Sequence, residues 1–265
     1  MIFYFSATGN TQWAARQLSE ATQEKLVFIP DAIVSPPRKY KLEPGERIGF
    51  CFPVHGWRPP LVVRDFIKTL QFDGPTAGHY VFTVITAGDT TGETFRIFEN
   101  DLRAKGIGVN SRCALLMPES YVGLPFMDVD NAEREKQKKK RADEELKAYL
   151  PTVIQKEAQD GPLYQGHWPR INSRILGAGF LKLVDDSKFH VVSERCVKCG
   201  ICADVCPQGD IKGGLGYEPQ WKHDDSCLTC FACYHHCPHH AIEFGRQTRR
   251  KGQYFYKKRN LQELK

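Results

Sequence analysis

Short apolar runs alternate with amphipathic stretches over the first 150 residues of the chain. The apolar runs predict β-strands over residues 2–5, 26–29, 47–52, 80–85 and 109–117. Apolar residues recur at helical spacing between them and predict α-helices over residues 11–22, 60–70, 94–105 and 131–149. Regular alternation of strands and helices favours a parallel sheet with helices on both faces. The first part of the chain is therefore expected to be an α/β domain.

The pattern changes near residue 160, where Gly, Pro and polar residues cluster in Asp160–Pro162 and His167–Pro169. Apolar residues at helical spacing follow and predict a connecting helix over residues 171–184. The predicted segments are an α/β domain over 1–160, a connecting helix or linker over 161–187, a small α+β domain over 188–245 and a basic tail over 246–265.

Eight of the ten cysteines lie in the last quarter of the chain, in two copies of the pattern C-x2-C-x2-C-x3-C-P. Three thiolates on one tight loop can reach three irons of a cubane, whereas the fourth points away and ligates the other cluster. The predicted ligands of a first [4Fe–4S] cluster are Cys196, Cys199, Cys202 and Cys237. Those of the second are Cys206, Cys227, Cys230 and Cys233.

Zinc is the main alternative for these cysteines, but zinc sites normally use two separated Cys pairs around one tetrahedral ion. Disulfides are typical of small secreted chains and are less favoured still. The segment over residues 188–245 closely resembles bacterial dicluster ferredoxins, which implies single-electron transfer at low potential. The two other cysteines, Cys51 and Cys113, lie in apolar runs and are expected to be buried strand residues.

The turn after the first predicted strand, Phe5–Thr11, carries a second candidate site. Its small and hydroxyl residues, at the start of a helix, allow backbone N–H groups to surround a phosphate. The turn has no Walker-type lysine and no G-x-G-x-x-G pattern, so a terminal monophosphate held by neutral donors fits best. The candidate phosphate ligands are Ser6, Ala7, Thr8, Gly9, Asn10 and Thr11.

Together with Ala15 and Leu18, this turn resembles the FMN-phosphate signature of flavodoxins. The resemblance implies a flavodoxin-like, doubly wound sheet of five parallel strands in the order 2-1-3-4-5, with FMN where the order reverses. The loops after the third and fourth strands would clasp the flavin ring, with Trp57 as its stacking partner. The candidate residues of these loops are Pro53, Val54, His55, Gly56, Trp57, Thr86, Ala87, Gly88, Asp89 and Gly92.

Alternatives stay open for several of these residues. Trp57 is otherwise a surface or interface aromatic residue. The long segment over residues 118–130 offers Tyr121 to the second face of the flavin, or else contacts the ferredoxin-like part. Five histidines crowd the second cysteine run and are expected at the surface near the cluster, with a separate metal site as the alternative. They are His223, His235, His236, His239 and His240.

The formal net charge of +6 does not require a nucleic-acid partner, because eight thiolates, two cluster cores and an FMN phosphate would offset it. The basic runs over residues 136–141 and 246–259 are expected to be solvated, with a docking surface for an acidic redox partner as the alternative. No signal peptide is expected, and no apolar run is long enough to span a membrane. A cytoplasmic protein without a membrane partner is expected.

The order of the two parts resembles the flavodoxin–ferredoxin fusion proteins of anaerobic bacteria and archaea, sometimes called ferrodoxins. This resemblance implies an iron–sulfur flavoprotein that relays electrons between two [4Fe–4S] clusters and FMN, and to or from a ferredoxin-like or oxidoreductase partner in anaerobic metabolism. The alternative is an FMN-dependent reductase of a small molecule, with His55 as a proton donor. No catalytic residue is assigned, because no paired acid and base stands out.

Overall fold

The computed structural model describes residues 1–35, 39–182 and 185–256, which group into two compact units. The first unit contains Met1–Ser6, Thr11–Pro118 and the described residues from 132 to 182. The second contains Ala7–Asn10, Glu119–Asn131 and the described residues from 185 onward. Both units are discontinuous along the chain, whereas the domains predicted from the sequence are continuous.

A five-stranded parallel sheet forms the centre of the first unit, as expected for an α/β domain. The strands of this unit are β1 (Ile2–Tyr4), β2 (Leu26–Phe28), β3 (Tyr40–Lys41), β4 (Ile48–Pro53), β5 (Phe72–Asp73), β6 (Val81–Ala87) and β7 (Ser111–Leu116). The five-stranded sheet has the order β2–β1–β4–β6–β7, and every neighbouring pair in it is parallel. Strands β3 and β5 form a separate parallel pair.

The central strands of this sheet are buried on both faces. All seven residues of β6 are buried, although successive side chains point to opposite faces of a strand. Phe50 of β4 packs against Phe3 and Phe98, with ring centroids 5.5 and 5.3 Å apart. The prediction that Cys51 and Cys113 are buried strand residues is confirmed, since both are fully inaccessible.

The helices predicted around the sheet are present, and one short helix is added. The helices up to residue 181 are α1 (Asn10–Thr22), α2 (Ile29–Val34), α3 (Leu61–Thr69), α4 (Thr94–Arg103), α5 (Ala132–Gln155), α6 (Pro169–Ile171), a π-helix (Asn172–Leu176) and α7 (Gly177–Leu181). The connecting helix is thus three short consecutive pieces, and the last two residues of its predicted range lie outside the described residues. Across the described part of the chain, we find no helix that is both long and apolar enough to cross a membrane.

The second unit is small and built from two antiparallel strand pairs. Its elements are β8 (Phe189–Val191), α8 (Ile201–Asp204), β9 (Ile211–Gly214), β10 (Tyr217–Trp221), α9 (Ala232–His236) and β11 (Ile242–Phe244). β8 pairs with β11 and β9 with β10. The rings of Phe189 and Trp221 stack in its core, 5.6 Å apart at their centroids.

Two further segments pack into this second unit. Val122, from the segment over residues 119–131, is buried in the same core, and Tyr121 meets the ring of Phe231 edge-on at 5.3 Å. Of the two alternatives for this segment, contact with the ferredoxin-like part is therefore the one observed. Residues 246–256 also pack here: Thr248 and Tyr254 are buried, so this part of the basic segment is not a loose tail.

Candidate functional site

Two cavities in the second unit are each lined by four cysteines. The first, with about 340 Å³ of empty space including its open mouth, is lined by Cys196, Cys199, Cys202 and Cys237. The second, with about 310 Å³, is lined by Cys206, Cys227, Cys230 and Cys233. In each cavity three thiols come from one cysteine run and the fourth comes from the other run. The last cysteine of each run therefore lies in the cavity that the first three cysteines of the other run line.

The two cysteine loops follow the same backbone path. Lys198 and Gly200 in the first run, and Thr229 and Phe231 at the equivalent positions of the second, all have left-handed conformations, with φ between 48° and 80°. Non-glycine residues adopt this conformation at a cost, because the Cβ atom crowds the following carbonyl. The repeated pair of left-handed residues curls each loop so that its first three thiols line one cavity.

Backbone amides point at the cysteine sulfurs. The Asp210 N–H donates to Cys206 Sγ at 3.3 Å, and the Ala241 N–H donates to Cys237 Sγ at 3.1 Å. In the second loop the Thr229 N–H lies 3.4 Å from the sulfur of Cys227. Hydrogen bonds to ligand sulfurs, together with burial and net charge, set the reduction potential of an iron–sulfur cluster.

The electrostatics of the cavities favour a cationic guest. Burial raises the pKa of Cys202 to about 11 and that of Cys230 to about 12. Burial first, and then the charges of the neighbouring thiolates, raise the pKa of Cys233 well above its usual range. Iron binding removes this penalty, since a coordinated thiol is deprotonated by the metal charge. The donor set therefore fits an iron–sulfur core.

The arrangement of the thiols differs from that of a single-ion site. Within residues 1–35, 39–182 and 185–256, no three His, Cys, Asp or Glu side chains are grouped closely enough to hold one metal ion. The cysteines are instead spread around the walls of each cavity. A cubane needs this wider spacing, because each thiolate binds a different iron.

Comparison with known proteins agrees with this geometry. The family described as a 4Fe-4S dicluster domain matches residues 189–238. This segment is a 4Fe–4S dicluster ferredoxin domain. A ferredoxin from Megasphaera elsdenii is 60% identical over 25 residues, which are 9% of this chain and 46% of that protein. The chain thus covers about half the length of this relative. No solved structure matches the chain.

Residues Ala7–Asn10 of the predicted phosphate turn belong to the second unit, where they contact Tyr254 and Tyr256. Gly9 has a φ of +91°, and Thr8 and Asn10 are buried. The Tyr256 N–H donates to the Thr8 carbonyl at 2.8 Å, and the Tyr254 hydroxyl donates to Asn10 Oδ1 at 2.5 Å. Glycine suits this left-handed backbone, and a Cβ atom added to Gly9 would lie 3.0 Å from the Cβ of Tyr256, which would have to shift by a few tenths of an ångström. Sequence reasoning missed both tyrosines, since nothing in a local pattern links such distant positions.

The two loops predicted to clasp a flavin ring are neighbours in the first unit. Pro53 pairs with Thr86 at the ends of β4 and β6, and the Val54 N–H donates to the Thr86 carbonyl at 2.8 Å. The Trp57 indole N–H donates to Thr90 Oγ1 at 3.0 Å, which ties the first loop to the second. At the start of α1, Thr11 Oγ1 lies 2.7 Å from Thr86 Oγ1. The turn residue Thr11 and both loops thus meet at one edge of the sheet.

His55 does not have the properties of a proton donor. Desolvation lowers the pKa of its imidazole to about 4, so the ring is neutral at pH 7. Its backbone pairs with that of Arg58 across a tight turn, with N–O distances of 2.9 and 3.1 Å. The Arg58 guanidinium donates to the Ser173 carbonyl at 2.8 Å.

These loops are held by Ser173, which the sequence did not single out, and by Lys138 from the basic run over residues 136–141 that was expected to be solvated. Ser173, fully buried in the π-helix, donates through Oγ to the Trp57 carbonyl at 2.8 Å and accepts from the Glu93 N–H at 2.7 Å. Lys138 of α5 donates to the Gly88 carbonyl at 2.8 Å. The pieces of the connecting helix are therefore part of the wall beside the candidate flavin loops.

The histidine-rich tract is only partly exposed. His235 is 1% exposed, so the prediction that it is a surface residue is wrong. Its Nε2 lies 2.6 Å from the Ser120 carbonyl, and its Nδ1 accepts from the Tyr254 N–H at 3.2 Å. Burial lowers the pKa of His235 to about 4, which keeps it neutral. His239 and His240 are exposed as expected, and His239 lines the first cavity.

Proposed function

We propose that this protein is an electron carrier that uses two [4Fe–4S] clusters and one FMN to exchange electrons with a redox partner. The ferredoxin-type segment already indicates iron–sulfur electron transfer. The observation that carries the proposal is the crossing of the fourth cysteine of each run into the opposite cavity. Such crossing is the ligand arrangement that two neighbouring cubanes need.

The proposed cluster ligands are the two cysteine groups that line the cavities. Each cluster supplies one-electron redox chemistry when it is bound. The chain holds the thiols around each cavity with its left-handed loop residues, and it directs amide N–H groups at Cys206 and Cys237. The aromatic core formed by Phe189, Trp221 and Phe231 excludes water from one side of the second cavity.

The proposed FMN site lies at the edge of the parallel sheet where β1 leads into α1. FMN supplies one- and two-electron redox chemistry when it is bound. Neutral donors and the start of the thirteen-residue α1 suit a phosphate, because N–H groups and the helix dipole favour an anion there. Trp57, tied to Thr90, offers a flat ring for stacking. The flavodoxin-like strand order belongs to this proposal.

Electron carriage is favoured over the alternative in which His55 donates a proton to a small-molecule substrate. Desolvation lowers the pKa of this imidazole to about 4, so the ring is neutral and is not an imidazolium acid at about pH 7. The proposed partner is a ferredoxin-like protein or an oxidoreductase with an acidic docking surface, in the cytoplasm of an anaerobe. Its electron-transfer rate should fall as salt is added.

Anaerobic purification followed by stopped-flow spectroscopy tests this function. Iron, sulfide and FMN would be quantified in one sample, with two clusters and one flavin expected per chain. The oxidised protein would then be mixed with a reduced low-potential donor, and the flavin band should bleach through the clusters. Cys206→Ala, which removes one cluster ligand, should slow flavin reduction, whereas Cys51→Ala, which removes a buried strand thiol, should not. Equal flavin reduction rates in both variants would contradict the relay.

A further inference from the structure

The two cluster cavities repeat each other closely, but a carboxylate lines one of them and has no counterpart in the other. The chain reads Cys-Pro-x-x-Asp-Ile after the first cysteine run and Cys-Pro-x-x-Ala-Ile after the second, which places Asp210 where the other half has Ala241. The backbones are equivalent, since each residue donates its N–H to the sulfur four positions earlier, on Cys206 and Cys237. Only the side chains differ: one is a carboxylate and the other is a methyl group.

Asp210 is buried against the second cavity. It is 1% exposed and belongs to the residues that line this cavity. Its Oδ1 accepts a hydrogen bond from the Ser226 hydroxyl at 3.1 Å, whereas no donor reaches its Oδ2 from the described residues. Its main-chain N–H bonds to Cys206 Sγ at 3.3 Å, which keeps the residue next to one of the four sulfurs of this cavity. A carboxylate without a cation therefore faces the cluster position.

The charges around the two cavities are opposite in sign. The residues that line the second cavity include Asp210 and no Lys, Arg or His. Those that line the first include Lys198 and His239 and no Asp or Glu, with Ala241 at the equivalent position. Reduction adds a negative charge to a cluster, and a nearby carboxylate opposes this charge most strongly where water is excluded.

We infer that Asp210 lowers the reduction potential of the cluster held by Cys206, Cys227, Cys230 and Cys233. The other cluster, beside Ala241 and Lys198, is then the one that takes the first electron. This inference rests on the cysteine assignment made under the proposed function. The two halves of this nearly symmetric domain then have different roles, because a single electron occupies the first cluster in preference to the second.

Asp210→Asn tests the inference. The amide keeps the shape of the side chain and an acceptor for Ser226, and it removes the charge. Reduction potentials would be measured by anaerobic redox titration of the holoprotein, and the contact-shifted Cys β-proton resonances would assign each potential to its cluster. The potential of the second cluster should rise and that of the first should stay. If both potentials stay, or if both rise equally, the inference is wrong.

The reciprocal change supplies a second variant within the same chain. Ala241→Asp places a carboxylate beside the first cavity and should lower the potential of that cluster alone. Iron and sulfide are measured for every variant. Full cluster content with unchanged potentials overturns the role of Asp210 and leaves the cysteine assignment intact. Wild-type protein without two [4Fe–4S] clusters overturns the assignment itself.

Discussion

The hydroxyl of Tyr254 donates a hydrogen bond to Oδ1 of Asn10 at 2.5 Å, although the two residues are 244 positions apart. Both side chains are buried, and Asn10 is the first residue of α1. Two residues after Tyr254, the Tyr256 N–H donates to the Thr8 carbonyl at 2.8 Å. The C-terminal residues therefore orient the side chain and the main chain of the proposed phosphate turn.

Removal of this one hydroxyl should weaken FMN binding. Tyr254→Phe deletes a hydrogen bond worth about 1 kcal/mol, which corresponds to about a fivefold rise in the FMN dissociation constant. The dissociation constant is measured by adding protein that lacks FMN but retains its clusters to FMN and following the flavin fluorescence. Tyr217→Phe, at a side chain that is 72% exposed, is the matched control and should bind FMN like the wild type. The same affinity in both variants would mean that Tyr254 has no role in the turn.

The crossed cysteine ligands can be tested with double variants. Cys206 and Cys230 line the same cavity, so Cys206→Ala with Cys230→Ala should leave one cluster intact. Cys202 lines the other cavity, so Cys202→Ala with Cys206→Ala should remove both clusters. Iron and sulfide analysis after anaerobic reconstitution distinguishes the two results. The reverse pattern would show that each cysteine run holds its own cluster.

A methyl group on Gly200 should destabilise the first cluster loop. Gly200 has a φ of +80°, and an added Cβ would lie 2.8 Å from the Gly214 carbonyl carbon and 2.9 Å from the Leu215 nitrogen. The expected cost is about 1–2 kcal/mol of backbone strain plus a further 1–3 kcal/mol or so of overpacking. Thermal unfolding of the anaerobic holoprotein, followed at the visible iron–sulfur band, would report the loss.

The matched control for this variant is Gly209→Ala. Gly209 is also left-handed, with a φ of +59°, but apart from its two chain neighbours an added Cβ there would have no atom of the described residues within 4 Å. It should therefore lose only the strain contribution, about 1–2 kcal/mol. Equal losses at Gly200 and Gly209 would show that the contact with Gly214 is not important.

The stability of the first unit should fall in acid because of Glu93. The Arg174 guanidinium, which donates to Glu93 at 2.6 and 3.1 Å, lowers the pKa of this carboxyl, and Arg96 lies 2.8 Å from it. Since the folded pKa lies below the unfolded one, the stabilisation is complete above about pH 4.5 and is lost as the pH falls through the folded value.

Glu93→Gln should reduce the unfolding free energy by about 1 kcal/mol at pH 7, as expected for a partly exposed ion pair. It should also reduce the acid dependence of stability below about pH 4.5. Urea unfolding followed by tryptophan fluorescence at pH 7 and at about pH 4 measures both effects. Glu20→Gln, at an exposed carboxyl, is the control and should keep the wild-type pH dependence. Unchanged acid sensitivity in Glu93→Gln would assign that sensitivity to other groups.

Much of the fold could be predicted from local patterns. Five apolar runs predicted the parallel sheet, and their bounds differ from those of the observed strands by at most two residues. The six-residue helix α2 was missed, because it is too short to show helical periodicity. The π-helix within the predicted connecting helix was also missed, since Ser173 takes its place there through contacts with Trp57 and Glu93.

The sequence by itself determined which chemistry is possible in the ferredoxin-type segment, since the spacing of eight cysteines acts over only a few residues at a time. The tertiary structure decided which groups close around each site: it joins Tyr254 to Asn10, buries Asp210 beside the second cavity and makes His235 neutral. Burial and long-range hydrogen bonds depend on segments that are distant in the chain coming together. A local sequence pattern does not show which distant segments will contact each other, so these roles are seen only in the folded chain.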